Sequence, residues 1–232
     1  MTPVMALPRA IRDPALMKLL DELRTEHVRI ERLVGSLRTF VDAFVAGGAP
    51  AGDGLEILRC LRVYAGGFHH DREELILFPA LEGEASLPRR GPIEALLDDH
   101  HVTAELLAEM AALLASPAPD LARLRDAAVR YSHVLWLHID AENSVLFPES
   151  EARLARAGVR ELANRPPTSQ ELAAAESADR LAALYPPLED PGVIRGDGCA
   201  LCPRYGESCD GIEREWWNEW EWEEMDDHIA AS

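Results

Sequence analysis

Apolar residues recur at three- and four-residue intervals over four long stretches of the chain, the spacing that lines one face of an α-helix. The first stretch opens at Asp13-Pro14, an N-cap with proline at the first helical position. It runs to about Val45, with Leu19, Leu23, Ile30, Leu33, Leu37 and Phe40 on one side. Gly47 to Gly54 (GGAPAGDG) reads as a breaker loop. A second helix is predicted from about Leu55 to Leu81. After a loop at Glu84 to Gly91, a third runs from Pro92 to near Ser116, and a fourth runs from the cap Asp120 to about Arg156. The short connections make successive helices antiparallel neighbours. The expected fold is therefore all-α, an up-down four-helix bundle over residues 14–156.

The rest of the chain is patterned differently. Asn164 to Pro167 breaks the periodicity, and Thr168 with Glu171 forms a capping box for a short helix to about Leu184. Residues 157–198 thus read as a linker with one short helix. Residues 199–232 read as a small extension rich in cysteine, tryptophan and acid.

The second and fourth helices share a motif. His69-His70-Asp71-Arg72-Glu73-Glu74 leads into Leu77-Phe78-Pro79, and His138-Ile139-Asp140-Ala141-Glu142-Asn143 leads into Leu146-Phe147-Pro148. Both read H-x3-E-x3-L-F-P. Residues at i and i+4 share a helix face one turn apart, so each motif presents an imidazole and a carboxylate together. Two such helices supply two terminal histidines and two carboxylates able to bridge a pair of ions. Helix 2 offers His69 with Glu73 or His70 with Glu74. Only His69 and Glu73 keep the spacing to Phe-Pro found in helix 4, which leaves His70 a neighbour of the site. The first and third helices carry single histidines, His27 after Glu26 and His100 after Asp99, with His101 as the alternative to His100. Counted from the connecting loops, these residues fall at similar heights. Six candidate metal ligands then share one layer: His27, His69, Glu73, His100, His138 and Glu142. His133 and His228 read as ordinary surface or core histidines. Imidazole and carboxylate without thiolate suit iron or manganese, and zinc is possible.

Composition narrows the function. Apolar residues make up 47% of 232, enough for a buried core, and the net charge of -18 argues against nucleic acid or an anionic membrane as partner. No apolar run has the ~20 residues of a membrane span. Met1 to Asp13 lacks the apolar stretch of a secretory signal. With four cysteines in a chain of this length, the expected compartment is a reducing cytoplasm.

Taken together, His27, His69-x3-Glu73 before LFP, His100, and His138-x3-Glu142 before LFP resemble the hemerythrin HHE cation-binding family. The resemblance implies a carboxylate-bridged di-iron centre, with Glu73 and Glu142 as bridges and the four histidines as terminal ligands. It also implies a small partner, O2, NO or peroxide. The family's roles include ligand binding, peroxide handling, oxygen or iron sensing, and iron–sulfur cluster repair. Invertebrate oxygen carriers have a second histidine four residues past the first on helix 3. Here that position is Ala104.

Two features of the extension invite their own expectations. Cys199, Cys202 and Cys209 have the C-x2-C spacing of a metal knuckle, which would hold a second structural metal, zinc or iron. Cys60, His228 or an acid would be the fourth ligand. A redox dithiol and plain structural thiols are the alternatives. Trp216, Trp217, Trp220 and Trp222 would pack a tail helix on the bundle, dock a protein partner or mediate self-association.

Overall fold

The structure is a computed structural model that describes residues 14–85, 87 and 92–188. Among these there are five helices and no strand. Helix α1 is Pro14–Val45. Helix α2 is continuous through Ala51–Cys60, Leu61–His70, Glu73–Leu77 and Phe78–Gly83. Helix α3 is Pro92–Ala115. Helix α4 joins Leu121–Ala141, Glu142–Leu146 and Phe147–Arg156. Helix α5 is Ser169–Leu184.

Two apolar clusters show how the helices run. One gathers Ile30 to Val41 of α1, Ile57 to Phe68 of α2, Leu106 to Leu114 of α3 and Leu124 to Ile139 of α4. The other gathers Leu19 to Leu23, Leu77 and Leu81, Ile93 and Leu96, and Leu146 to Leu154. Late α1 meets early α2, late α3 and early α4, so each helix runs opposite to the one before it. The histidines and glutamates of the repeated motif fall between the two clusters, across the middle of the bundle.

Local chemistry explains most of the boundaries. Gly47 takes φ 77°, the left-handed turn that ends α1, and Gly48 N–H closes it by donating to the Ala43 carbonyl at 2.8 Å. The Asp120 carboxylate accepts from Arg123 N–H at 3.0 Å as the α4 cap. At α5, Thr168 and Glu171 exchange the two hydrogen bonds of a capping box. The Asp13 cap lies outside the described residues.

The second helix departs from expectation at its start. It begins at Ala51, inside the segment read as a loop, because Gly54 is a packing position. A Cβ there would lie 2.3 Å from the Phe40 ring and 2.8 Å from Leu114 Cδ1. Gly52, two residues earlier, has nothing within 4 Å of its notional Cβ. Gly54→Ala is therefore expected to cost about 1–3 kcal/mol through overpacking, while Gly52→Ala gains about 0.5–1 kcal/mol in helix propensity. Urea midpoints of the metal-free variants check both signs.

Helices α2 and α4 run past Pro79 and Pro148, as their predicted ends near Leu81 and Arg156 require. Each proline lacks an N–H and crowds the carbonyl four residues back. The backbone absorbs this by widening into π-type turns at Glu73–Leu77 and Glu142–Leu146, the same register of the repeat. Helix α2 has a further widened stretch at Leu61–His70, without a counterpart in α4.

Helix α5 packs across α1 and α2, and Ala174, Ala178 and Leu181 join the main core. Arg165 leads into it, pairing with Glu171 at 2.9 Å and donating to the Gly67 carbonyl of the widened stretch at 2.6 Å. Beyond α5, Leu188 N–H donates to the Gly35 carbonyl and Tyr185 O–H to Asp53, fastening this segment to the bundle. No helix among the described residues is long and apolar enough to cross a membrane.

Candidate metal centre

All six residues singled out in the sequence come together in the bundle core, and His70 joins them. Two four-residue groups form, His27, His69, Glu73 and Glu142 in one, and His70, Glu73, His100 and His138 in the other. Within each group the candidate ligand atoms lie within 4.8 Å of one another. Glu73 belongs to both. Its Oε1 is 3.3 Å from His69 Nε2 and its Oε2 is 3.6 Å from His100 Nε2. Glu142 Oε2 similarly stands 3.1 Å from His27 Nε2 and 3.3 Å from His138 Nε2. Of the two helix 3 histidines, His100 points into the core, while His101 is exposed. His133 is exposed, and His228 lies outside the described residues.

Four of the imidazoles are aimed by an oxygen on their far side. His27 Nδ1–H donates to Asn143 Oδ1 at 2.9 Å, and His69 Nδ1–H to Glu26 Oε2 at 3.0 Å. His100 Nδ1–H donates to Glu74 Oε1 at 2.7 Å, and His138 Nδ1–H to Asp99 Oδ2 at 3.3 Å. An Nδ1 beside an oxygen acceptor carries the proton, so in the neutral imidazole Nε2 keeps its lone pair for the centre. The support is reciprocal and follows the repeat. The residue before each single histidine, Glu26 or Asp99, steadies the histidine of the next motif. The residue after each central glutamate, Glu74 or Asn143, steadies the single histidine of the neighbouring helix. Phe147 stacks on His27 at 5.4 Å, and Phe78 on His100 at 6.2 Å. Sequence reasoning missed these supporting roles, although Glu26 and Asp99 adjoin the two single histidines and Glu74 and Asn143 are matched positions of the repeat.

The donor set fits a cation. Both oxygens of Glu73, both of Glu142, and Nε2 of His27, His69 and His70 are buried without a hydrogen-bond partner. Buried polar atoms are ordinarily paired, and burying a carboxylate costs several kcal/mol. Positive charge at the centre meets both demands. Without metal, protons do the neutralising. Burial, then the neighbouring Glu142, pushes the Glu73 carboxyl well above the usual carboxylate range. Burial pulls His138 down, but Glu142 and then Asp99 outweigh it and raise the imidazole to about 9. Burial holds His69, His70 and His100 below the ordinary histidine value.

These shifts have a pH consequence. A carboxyl whose native pKa is raised stabilises the metal-free fold below its unfolded value of 4.5, and that contribution is lost as pH rises through the native value. A metal ion held by these residues would take the place of the Glu73 and His138 protons. Metal affinity is therefore expected to rise about tenfold per pH unit for each proton displaced between about pH 5 and 8. Chelator competition at several pH values, with an indicator dye counting released protons, checks this. Binding with no proton release would contradict it.

An antiparallel helical bundle with two histidine–carboxylate clusters sharing a buried glutamate defines a metal-binding bundle protein. The family described as Hemerythrin HHE cation binding domain matches residues 6–150, and the chain belongs to that family. Comparison with curated proteins and with solved structures gave no match.

The cysteine expectations fare differently by position. Cys199, Cys202 and Cys209, and the tryptophans from Trp216 to Trp222, lie outside the described residues. Cys60 is buried in the main apolar cluster, and burial pushes its thiol up to about 11. That environment makes it an inert core thiol.

Proposed function

We propose that this protein is a non-haem di-iron protein that binds or reduces a small oxidant: O2, NO or peroxide. The observation that carries this is the pair of four-residue groups hinged on Glu73, each with buried donor atoms lacking any partner. His27, His69, Glu73, His100, His138 and Glu142 would hold the metal. Imidazole and carboxylate donors suit iron, which when bound supplies redox chemistry with small oxidants. The chain's own contribution is to fix the donors. Glu26, Glu74, Asp99 and Asn143 orient the imidazoles, and the two apolar clusters above and below the layer keep bulk water out. A cavity of about 530 Å³ between α2 and α3, lined by Leu58, Ala65, Gly66, Ala104 and Leu107, reaches His70 and His100. Its apolar walls suit the approach of a small neutral molecule.

The test is metal content together with the visible spectrum, as isolated and after reduction and exposure to air. Two irons per chain, with absorption that bleaches on reduction and returns with oxidant, is the expected result. Zinc alone, persisting after anaerobic loading with iron(II), would refute it. Steady-state peroxide consumption by the reduced protein separates turnover from single-ligand binding.

A further inference from the structure

The repeat relates α2 to α4 residue by residue, and at the centre its two halves are alike in most places. Glu73 matches Glu142, Glu74 matches Asn143 in supporting the neighbouring histidine, and Phe78 matches Phe147 in stacking on it. His70 breaks the match. Its counterpart is Ile139, a residue of the apolar core.

The backbone also differs between the two halves at this point. In an α-helix, successive residues point about 100° apart, and in α4 His138 and its neighbour Ile139 are both buried, with only the histidine among the candidate ligands. Residues Leu61–His70 are wound as π-type turns, whereas the matching part of α4 lies in the ordinary helix Leu121–Ala141. Closing hydrogen bonds from i to i+5 turns the chain through a smaller angle per residue. His69 and His70 stand on neighbouring directions of this stretch, one supplying a candidate ligand atom to each group. Gly66 and Gly67 lie in this stretch, and Arg165 binds the Gly67 carbonyl.

His70 is buried, and its ring lies on that of His100 at 3.7 Å with the planes 8° apart. Its Nε2 has no hydrogen-bond partner, and it contributes a ligand atom to the cluster with Glu73, His100 and His138. We infer that His70 is the third histidine of one cation site, making the two sites unequal. His27 and His69 serve one site, His70, His100 and His138 serve the other, and Glu73 serves both. This rests on the paired-metal proposal above. The inequality also gives the cavity between α2 and α3 a defined end: it meets the centre on the three-histidine side, with His70 and His100 in its lining.

The cavity makes the inference testable by chemical rescue. Wild type, His70→Ala and His70→Gln are loaded with cobalt(II), and the bound metal is counted under chelator competition with and without imidazole. Wild type is expected to hold two ions. His70→Ala should hold one ion as wild type does and the other at least about tenfold more weakly. Imidazole entering through the cavity should restore the second ion in His70→Ala and not in His70→Gln, whose side chain fills the space. Two ions held by His70→Ala with wild-type affinity would overturn the inference. So would far-UV circular dichroism showing both metal-free variants unfolded, since His70 would then be a packing residue. Failure of wild type itself to bind a pair of ions would instead remove the di-metal proposal on which this rests.

Discussion

Glu73→Gln is expected to abolish paired metal binding while leaving the metal-free protein at least as stable as wild type. The two effects have one origin. Glu73 is fully buried, is shared by both four-residue groups, and has no hydrogen-bond partner on either oxygen. In the metal-free fold its carboxyl is a burden: burial and Glu142 drive it toward the protonated state. An amide of the same shape is neutral at every pH and removes that burden, contributing about 1–3 kcal/mol near neutral pH. Toward a metal the same change removes a negative charge and one oxygen from two sites at once. Affinity is expected to fall by at least about a hundredfold, for both ions together. Substituting His27, in contrast, touches one group only. Urea denaturation in excess chelator and competition titration with iron(II) or cobalt(II) read the two effects separately. Tight binding of two ions by Glu73→Gln would show that Glu73 is not shared. A large loss of metal-free stability would show that its charge is neutralised in some other way.

The opposed signs of that prediction reflect how much of the centre is legible in the sequence. Periodicity places four helices, and the duplicated H-x3-E-x3-L-F-P places the histidines and glutamates in one layer. Both depend only on residue spacing along a regular helix. What spacing misses is where the helix stops being regular. Helix α2 is widened at Leu61–His70, where its repeat partner is not, and His70 stands in the core where the repeat has Ile139. The start of α2 at Ala51 depends on a Phe40 ring that reaches Gly54 from another helix. The hydrogen bonds from the imidazoles to Glu26, Glu74, Asp99 and Asn143 cross between helices, so no single-helix pattern contains them. The matched positions of Glu74 and Asn143 were visible in the repeat, but their purpose was not.

Arg72→Ala is the second large effect expected, and it acts through one of those crossings. Arg72 is almost fully buried. Its Nη2 donates to Glu26 Oε1, and its Nη1 to Glu22 at 3.1 Å and Asn164 at 3.3 Å, with the guanidinium 4.2 Å over the Phe68 ring. Glu26 Oε2 in turn accepts from His69 Nδ1–H at 3.0 Å. Burial raises the Glu26 carboxyl, and Arg72 is the chief influence pulling it back. Without the guanidinium, Glu26 is left as an unpaired buried acid and takes up a proton more readily. His69 then loses its anionic acceptor. Removing one partner of a buried pair costs about 3–5 kcal/mol. Loss of a hydrogen-bond partner behind a ligand histidine costs about 10–100-fold in metal affinity. The matching helix has no such arginine, since Ala141 stands in the position of Arg72. Asp99 behind His138 is 40% exposed, against 9% for Glu26, so water stabilises its charge. The two halves of the centre thus need different support because they differ in burial. Arg72→Met with Glu26→Gln removes both charges of the pair and is expected to regain most of the stability but little of the metal affinity. Urea midpoints and chelator competition on the three proteins separate these effects. If Arg72→Ala shifts neither quantity, the chain from Arg72 through Glu26 to His69 carries no energy, and the two halves of the centre are supported alike.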